Sequence, residues 1–267
     1  VLMIAGLIVA DISYMAGSGD LRLDLPGYLD WIEGPVVDAP ARLAGGLLEA
    51  MRDPKIRYSI QLTLISCTMT AILSLFVAAP VGYLTSRFAF PGRSFDDAVL
   101  DIPIVLPPLV VGISLLILFQ FMPAALRDWM VYERPAVILA QFMVACAFAV
   151  RTMRATFDQI DTRRENVAMT LGCTRWQAFC HVVMPEARGG LLTAANLAWA
   201  RALGEFGPIL IFAGATRNKT EVLSTTVFLE LSIGDLTSAV AVSLLMVTAA
   251  VIVLMITRIW GSRSLSL

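Results

Sequence analysis

The sequence predicts an all-α polytopic membrane protein with about six transmembrane helices. Of its 267 residues, 58% are hydrophobic and only 15% are charged, whereas a soluble domain carries about 25% charged residues. Several apolar runs approach the ~20 residues that an α-helix needs to cross a bilayer. The formal net charge of −1 gives no reason to expect a nucleic-acid-binding surface.

The first predicted domain, residues 1–57, joins an apolar run to a polar segment. We expect residues 1–15 to form a membrane helix that begins before Val1. A signal peptide is the competing interpretation, but no basic region precedes the run. Residues 16–57 contain glycine, proline and acidic residues between scattered aromatics, which indicates an extramembrane segment.

The core domain, residues 58–260, contains the other five predicted spans: 60–85, 98–121, 136–150, 189–214 and 236–259. Pro103, Pro107 and Pro108 interrupt the span at 98–121. Because proline removes a backbone donor, we expect this helix to kink or break there. Such irregular backbone is tolerated at membrane depth only inside a bundle or along a cavity.

The central loop, residues 155–188, lies between the fourth and fifth predicted spans. The segment 151–188 carries six arginines that flank both spans directly. The two sides of the membrane carry ten and nine basic residues, so the total count hardly discriminates between them. Because basic residues close to span ends set orientation, we expect the central loop to be cytoplasmic, together with the tail at 261–267.

Small and apolar residues recur in the central loop. Ala168 and Gly172 are four residues apart, so a helix would place both on one face, and Gly172 is expected to end that helix. Trp176 and Phe179 predict an apolar face on the next segment, which Pro185 is expected to stop. The pattern fits a docking surface for another protein or an amphipathic loop packed on its own bundle.

The central loop resembles the EAA signature of the permease subunits of bacterial ABC importers. Gly172 and Pro185 are thirteen residues apart, as in that family, and Ala168 matches the family's alanine. Asn166 stands where the family most often has glutamate, and Glu165 is acidic one position early. The resemblance implies a type I ABC importer permease-like fold. It also implies that the loop couples to an ATPase through these residues: Glu165, Asn166, Ala168, Gly172, Trp176, Phe179 and Pro185.

A second resemblance covers residues 58–260. The segments FPGR at 90–93, RALGEFG at 201–207, FAG at 212–214 and IGDL at 233–236 are similar to permeases for molybdate, tungstate and sulfate. The resemblance implies ATP-driven import of a tetrahedral oxyanion by alternating access, with molybdate ranked before tungstate and sulfate. An ABC importer for another small solute is the alternative.

The same resemblance implies three protein partners. They are a cytoplasmic ABC ATPase, an extracytoplasmic solute-binding protein and a second permease copy in the inner membrane. The sequence has no G-x-x-x-x-G-K-[ST] phosphate loop. We therefore expect a transport subunit without enzyme activity or a bound cofactor, whose partner uses ATP and magnesium.

The pathway and gate are expected where the third and fifth spans meet. An ionisable residue inside a membrane is a functional candidate, but Arg201 and Glu205 are four residues apart and can instead form an ion pair. Both interpretations, substrate contact and bracing of the bundle, stay open. The pathway candidates are Pro107, Pro108, Arg201, Glu205, Phe206 and Gly207.

Other function classes have weaker support in the sequence. A secondary transporter often contains inverted repeats, and none is visible. A lipid-modifying membrane enzyme would need clustered His, Asp or Glu, yet His181 is the only histidine. Cys173, Cys180 and His181 would need a further ligand to hold zinc.

Overall fold

The computed structural model describes residues 54–88 and 93–264, and within them every regular element is helical. The predicted all-α class is confirmed. The predicted span at 1–15 and nearly all of the segment at 16–57 lie outside the described residues. The helices are α1 (Pro54–Arg87), α2 (Arg93–Val105), α3 (Pro108–Gln120), α4 (Ala124–Met130), α5 (Arg134–Gln159), α6 (Thr162–Thr170), α7 (Arg175–Ala178), α8 (Arg188–Leu203), α9 (Leu223–Ile233) and α10 (Leu236–Ser264).

Helix α1 contains the predicted span at 60–85 and extends it at both ends. Thr63, Thr68 and Thr85 each donate a hydroxyl hydrogen bond to the carbonyl four residues earlier, at 2.6, 2.7 and 2.8 Å. These bonds satisfy the hydroxyls within the helix itself. The threonines are therefore compatible with an apolar environment.

Helices α2 and α3 together cover the predicted third span, and their axes differ by 116°. Pro107 has an extended ψ of 134° and immediately precedes α3, whose first residue is Pro108. A residue before proline disfavours the helical region, whereas proline is well accommodated at the first helical position. The predicted break is confirmed, and the two prolines explain where it falls.

Helix α5 contains the predicted fourth span and continues to Gln159, nine residues beyond Val150. It packs along α8, and its buried face is rich in small side chains. Small residues allow the backbones of membrane helices to approach closely. The fully or almost fully buried alanines are Ala136, Ala140, Ala145, Ala147 and Ala149 on α5 and Ala194, Ala198 and Ala202 on α8.

The predicted fifth span at 189–214 is not one continuous helix. Helix α8 ends at Leu203, a turn follows at Gly204, and a π-helical turn covers Ile209–Ala213. Pro208 lacks the amide hydrogen that a continuing helix would need. The segment predicted as the fifth span is therefore a helix followed by a separate π-helical turn.

Three helices among the described residues are long and apolar enough to cross a membrane: Ile56–Arg87, Arg134–Gln159 and Ser238–Ile256. The bent pair formed by Ala98–Val105 and Pro108–Gln120 adds a fourth if it counts as one span. The predicted second, fourth and sixth spans are thus present as long apolar helices.

The described residues fall into two compact units, 54–63 with 215–251 and 64–88 with 93–214 and 252–264. In the first unit, the Thr63 hydroxyl accepts a 2.9 Å hydrogen bond from the Leu223 amide at the start of α9. Leu223 also belongs to an apolar core with Val242 and Leu245 of α10. The second unit contains the central loop and the predicted pathway residues.

Candidate functional site

The central loop is mostly helical, and α6 has a defined signal at each end. The Asp161 side chain accepts a 2.9 Å hydrogen bond from the Arg163 amide, which caps the N-terminus. At the other end, Gly172 has φ +97°. The amide of Gly172 donates to the carbonyl of Met169, and that of Cys173 donates to Ala168, both at 3.1 Å. This is the Schellman arrangement, and the predicted helix end at Gly172 is confirmed.

The next segment begins with a capping box. Thr174 Oγ1 accepts from the Gln177 amide at 3.3 Å, and Gln177 Oε1 accepts from the Thr174 amide at 2.8 Å. Helix α7 follows and continues through a π-helical turn, Phe179–Val183, into the turn Met184–Glu186. Pro185 lies in the first turn of that last piece. The expectation that Pro185 stops the helix is wrong, because the helical run continues through Pro185 to Glu186.

Glu165 is buried and faces the end of α1. Its carboxylate accepts a hydrogen bond from the Tyr83 hydroxyl and lies 3.3 Å from Arg87 Nε. Arg87 Nη2 also donates to the Ile160 carbonyl at 2.9 Å. Buried charges are stable when paired in this way. Glu165 therefore anchors α6 to the bundle through α1.

An aromatic cluster supports the same anchor. The Tyr83 ring lies 4.6 Å from that of Phe179 and 5.8 Å from that of Phe157, between ring centroids. Arg175 lies over the Phe88 ring at 5.6 Å. Phe179 is buried here, whereas Trp176, 5.5 Å from it, is exposed. The two residues predicted to share one apolar face are thus on different sides: Phe179 packs inward and Trp176 is exposed.

An exposed apolar surface, here called the outer face, consists of Val167, Leu171 and Trp176. Leu171 is 81% exposed and Trp176 is 70% exposed. Asn166 and Gly172 are also exposed, but Ala168 is buried. Ala168 and Gly172 therefore do not form one exposed small-residue face, because Ala168 lies on the side of α6 that packs inward.

Two of the predicted pathway residues, Pro108 and Gly207, meet where α3 packs against the segment after α8. A Cβ atom on Gly207 would lie 2.8 Å from Pro108 Cβ, and one on Gly112 would lie 2.9 Å from Pro208 Cα. Glycine is required at both positions because the two backbones approach so closely. Phe119 and Phe212 pack beside this contact, with their centroids 5.1 Å apart.

Arg201 and Glu205 form an ion pair, with Nη1 3.1 Å from Oε2. The Glu205 side chain is buried, whereas that of Arg201 is 32% exposed and lies over the Phe148 ring at 5.7 Å. Phe206 is partly buried. The pair joins the end of α8 to the turn after it, where the carboxylate offsets much of the guanidinium charge.

Sequence reasoning missed Tyr83, Arg87, Gly112 and the exposed Leu171. A span-end arginine such as Arg87 carries no sequence signal that identifies its partner. The spacing of Val167, Leu171 and Trp176, four and five residues apart, could have indicated the outer face. For the zinc alternative, no group of three His, Cys, Asp or Glu suited to a metal occurs among the described residues, and His181 Nδ1 lies 2.9 Å from the Gln177 carbonyl.

Comparison with known protein families gives a match over most of the chain. The family model described as "Binding-protein-dependent transport system inner membrane component" matches residues 71–264. The chain is 31% identical over 213 residues to the sulfate transport system permease protein CysT of Escherichia coli K12, covering 77% of this chain and 76% of the relative. It is 35% identical over 167 residues to the molybdate/tungstate transport system permease protein WtpB of Thermococcus kodakarensis, covering 62% and 65%.

Solved structures share the fold at low sequence identity. A bacterial ABC transporter involved in the import of the acidic polysaccharide alginate aligns with a TM-score of 0.67 and 15% identity, covering 88% of this chain and 92% of that one. The MetNI methionine ABC transporter aligns with a TM-score of 0.55 and 17% identity, covering 83% and 93%. These likenesses agree with the type I ABC importer permease-like fold expected from the sequence, and that fold class is confirmed.

Proposed function

The chain belongs to the family of binding-protein-dependent transport system inner membrane components, and from that premise we propose that it imports a tetrahedral oxyanion. It is an ABC importer permease of the sulfate, molybdate and tungstate type, and it is not itself an enzyme. Molybdate is our first candidate, and sulfate and tungstate are to be tested beside it. The chain is an integral protein of the inner membrane.

The observation that carries the ABC-importer part of this proposal is the outer face, which is held on a buried anchor. Val167, Leu171 and Trp176 expose apolar area, while Glu165 is fixed to α1 by Arg87. Exposed apolar patches on an otherwise folded surface mark sites of protein interaction. We assign the outer face, with Asn166 and Gly172 at its edge, to docking of a cytoplasmic ABC ATPase.

The anchor gives docking a mechanical consequence. A force on α6 is transmitted to α1 through Glu165 and Arg87 and to α5 through the Ile160 carbonyl. The same α5 packs along α8, whose end carries Arg201. Movement of the docked ATPase would thus reach the helices that contain the predicted pathway residues.

The pathway is proposed to lie at the close contact between α3 and the segment after α8. Pro107, Pro108, Phe206 and Gly207 form or border this contact, and two copies of the permease would enclose the route between them. Arg201 and Glu205 neutralise each other, so their proposed role is to brace the turn. An extracytoplasmic binding protein would deliver the ion, so the route itself needs no tight site.

In the proposed cycle, ATP binding brings the ATPases together and opens the pathway outward, and hydrolysis returns it inward. The permease binds no cofactor in this cycle, because ATP and magnesium act in the ATPase. In this cycle the ion leaves on the inner side after hydrolysis has returned the pathway inward.

Reconstitution in proteoliposomes tests the proposal. The permease is purified with its partner ABC ATPase, and hydrolysis is measured with the binding protein loaded with molybdate, tungstate or sulfate. We expect stimulation by at least one loaded binding protein and ATP-dependent uptake of the same ion. Uptake that proceeds without the ATPase would contradict the proposal and favour a secondary transporter.

A further inference from the structure

Gln141 is a polar residue within the apolar helix α5, and its side chain is buried. Its amide nitrogen Nε2 donates to the Ala202 carbonyl near the end of α8 at 3.2 Å and to Cys67 Sγ on α1 at 3.7 Å. Its oxygen Oε1 accepts a hydrogen bond from the Thr70 hydroxyl, also on α1, at 3.2 Å. One side chain on α5 therefore joins α1 to the end of α8.

The partners of Gln141 determine how its amide is oriented. The Ala202 carbonyl can only accept a hydrogen bond, so the amide nitrogen must face α8 and the amide oxygen must face Thr70. In this orientation the nitrogen has two partners and the oxygen has one. A buried polar network whose members are satisfied is rigid and specifies one arrangement. The amide therefore fixes the three helices in one relative position.

The partners of Gln141 do not need it to satisfy their own hydrogen bonds. The Thr70 hydroxyl also donates to the Ile138 carbonyl at 3.3 Å, and the Ala202 carbonyl also accepts from the Glu205 amide at 3.2 Å. Burying an amide has a cost that an apolar residue of similar size would avoid. Satisfying its neighbours thus does not explain glutamine at this position, whereas holding the end of α8 in place does.

The same helices are already in close contact at the end of the bundle that carries the central loop. A Cβ atom on Gly82 of α1 would lie 3.0 Å from the backbone of α5, and one on Gly190 of α8 would lie 2.1 Å from Thr156 Oγ1 of α5. Ala202 is twelve residues after Gly190, which is about 18 Å along a helix. Gln141 therefore makes a second connection well away from the first, and two connections keep α8 from pivoting against α5.

We propose that Gln141 is a positioning residue that fixes the end of α8 to α1 and α5, so that movement of the central loop reaches the pathway. The Ala202 carbonyl that it binds also accepts from the Glu205 amide. Gln141 thereby holds the turn that leads to Phe206 and Gly207. The inference deepens the proposed function and rests on it for the transport cycle.

The first experiment compares ion uptake with ATP hydrolysis in proteoliposomes that contain the permease–ATPase complex and the loaded binding protein. Radiolabelled molybdate, tungstate and sulfate are tested in turn. Gln141→Met keeps the size of the side chain but removes its hydrogen-bond donor and acceptor. We expect the number of ions imported per ATP hydrolysed to fall about fivefold, the factor that one neutral hydrogen bond contributes, while hydrolysis continues. This ratio does not depend on how much protein is folded, so a purely structural role would leave it unchanged.

Thr70→Val tests the same connection from α1. This variant removes the hydroxyl that Oε1 of Gln141 accepts from, so the ratio of ions to ATP should fall in the same direction. If the two residues act through one network, the double variant should be no worse than Gln141→Met alone. The control is Thr68→Val, because Thr68 is exposed on the same helix and its hydroxyl bonds within α1. The control should keep the wild-type ratio.

An unchanged ratio in both Gln141→Met and Thr70→Val would overturn the inference, even if both variants lose thermal stability. If Gln141→Met does not fold, the ratio measured for Thr70→Val decides the question. A double variant that shows the full sum of the two single losses would also contradict a shared network.

Hydrogen exchange gives a second readout that does not depend on transport. In the purified permease–ATPase complex, we expect the amides of residues 203–207 to exchange about fivefold faster in Gln141→Met than in the wild type, because one hydrogen bond to this turn is lost. Equal exchange would overturn the inference. A wild type that imports none of the three ions would instead refute the proposed function, and the exchange comparison would still decide whether Gln141 holds the turn.

Discussion

The guanidinium of Arg87, on the last turn of α1, lies 3.3 Å from the carboxylate of Glu165, on the first turn of α6, measured from Nε to Oε2. About a tenth or less of each side chain is exposed. A second guanidinium nitrogen of Arg87 donates to the carbonyl of Ile160. The central loop is therefore attached to α1 at a buried point, while its outer face remains open.

Removing the charge of Glu165 should loosen this attachment. In Glu165→Gln the Tyr83 hydroxyl can still donate to the side-chain oxygen, so mainly the ion pair with Arg87 is lost. We expect the loop to lose about 1.5–3 kcal/mol of local stability, the range for a hydrogen bond to a charged group. Hydrogen exchange of the amides in residues 162–188 measures the loss.

The control for that variant is Glu186→Gln. Glu186 pairs with Arg164, whose side chain is 62% exposed, and an exposed pair contributes roughly 0–1 kcal/mol. We expect little change in exchange in this variant. Equal effects of the two substitutions would show that burial of the Arg87 pair has no special role.

The end of α6 depends on the left-handed backbone at Gly172. A Cβ atom there would meet nothing within 4 Å, but φ is +97°, so Gly172→Ala is strained without being crowded. We expect a cost of about 1–2 kcal/mol and weaker ATPase coupling. The control is Gly189→Ala, which is also in open space but has no positive φ. This variant should be neutral or slightly stabilising in thermal unfolding. If it destabilised the protein as much as Gly172→Ala does, the positive φ would not explain the cost at Gly172.

Close backbone contact should make Gly112 and Gly207 intolerant of any side chain. In Gly112→Ala the added methyl would meet Pro208 Cα at 2.9 Å, and crowding of this kind costs about 1–3 kcal/mol. We expect folded protein with reduced oxyanion uptake. Gly204→Ala, whose Cβ has no neighbour closer than 3.8 Å, should transport normally. Normal uptake by Gly112→Ala would show that this contact does not limit transport.

Glu221, outside the apolar spans, offers a pH-dependent test of the first unit. Its side chain is fully buried, and the Thr226 hydroxyl donates to it at 3.1 Å. Burial raises the pKa of Glu221 above its usual value of 4.5. Folding therefore favours the protonated form, and the stability that this group contributes is present below the unfolded pKa and lost as pH rises through the folded pKa.

Glu221→Gln should remove the loss of stability that accompanies ionisation of Glu221 as pH rises. We expect the variant to melt at a higher temperature than the wild type at neutral pH and the difference to shrink as pH falls toward 4.5. Thermal unfolding of both proteins in the same detergent from pH 5 to 8 measures the difference between their melting temperatures. The contributions of other titrating groups are the same in both proteins and largely cancel in this difference. A melting-temperature difference that is constant with pH would show that ionisation of Glu221 does not cause the pH dependence.

The sequence predicted features that depend on local backbone chemistry. The break at Pro107 and Pro108 and the helix end at Gly172 follow from missing donors and a positive φ, which act within a few residues. The inward position of Ala168 depends on packing against distant elements. The pairing of Glu165 with Arg87 joins residues 78 positions apart in the sequence, so periodicity could not reveal it. The ion pair between Asp101 and Arg151 was missed for the same reason.

The most direct test of docking at the outer face compares two exposed tryptophans. Trp176 lies on the outer face and is 70% exposed, whereas Trp129 lies on α4 and is 60% exposed. The permease is expressed with its ATPase, and the amount of ATPase that co-purifies with wild type, Trp176→Glu and Trp129→Glu is measured. We expect Trp176→Glu to fold and lose most of the ATPase while Trp129→Glu retains it. Full retention of the ATPase by Trp176→Glu would contradict docking at the outer face.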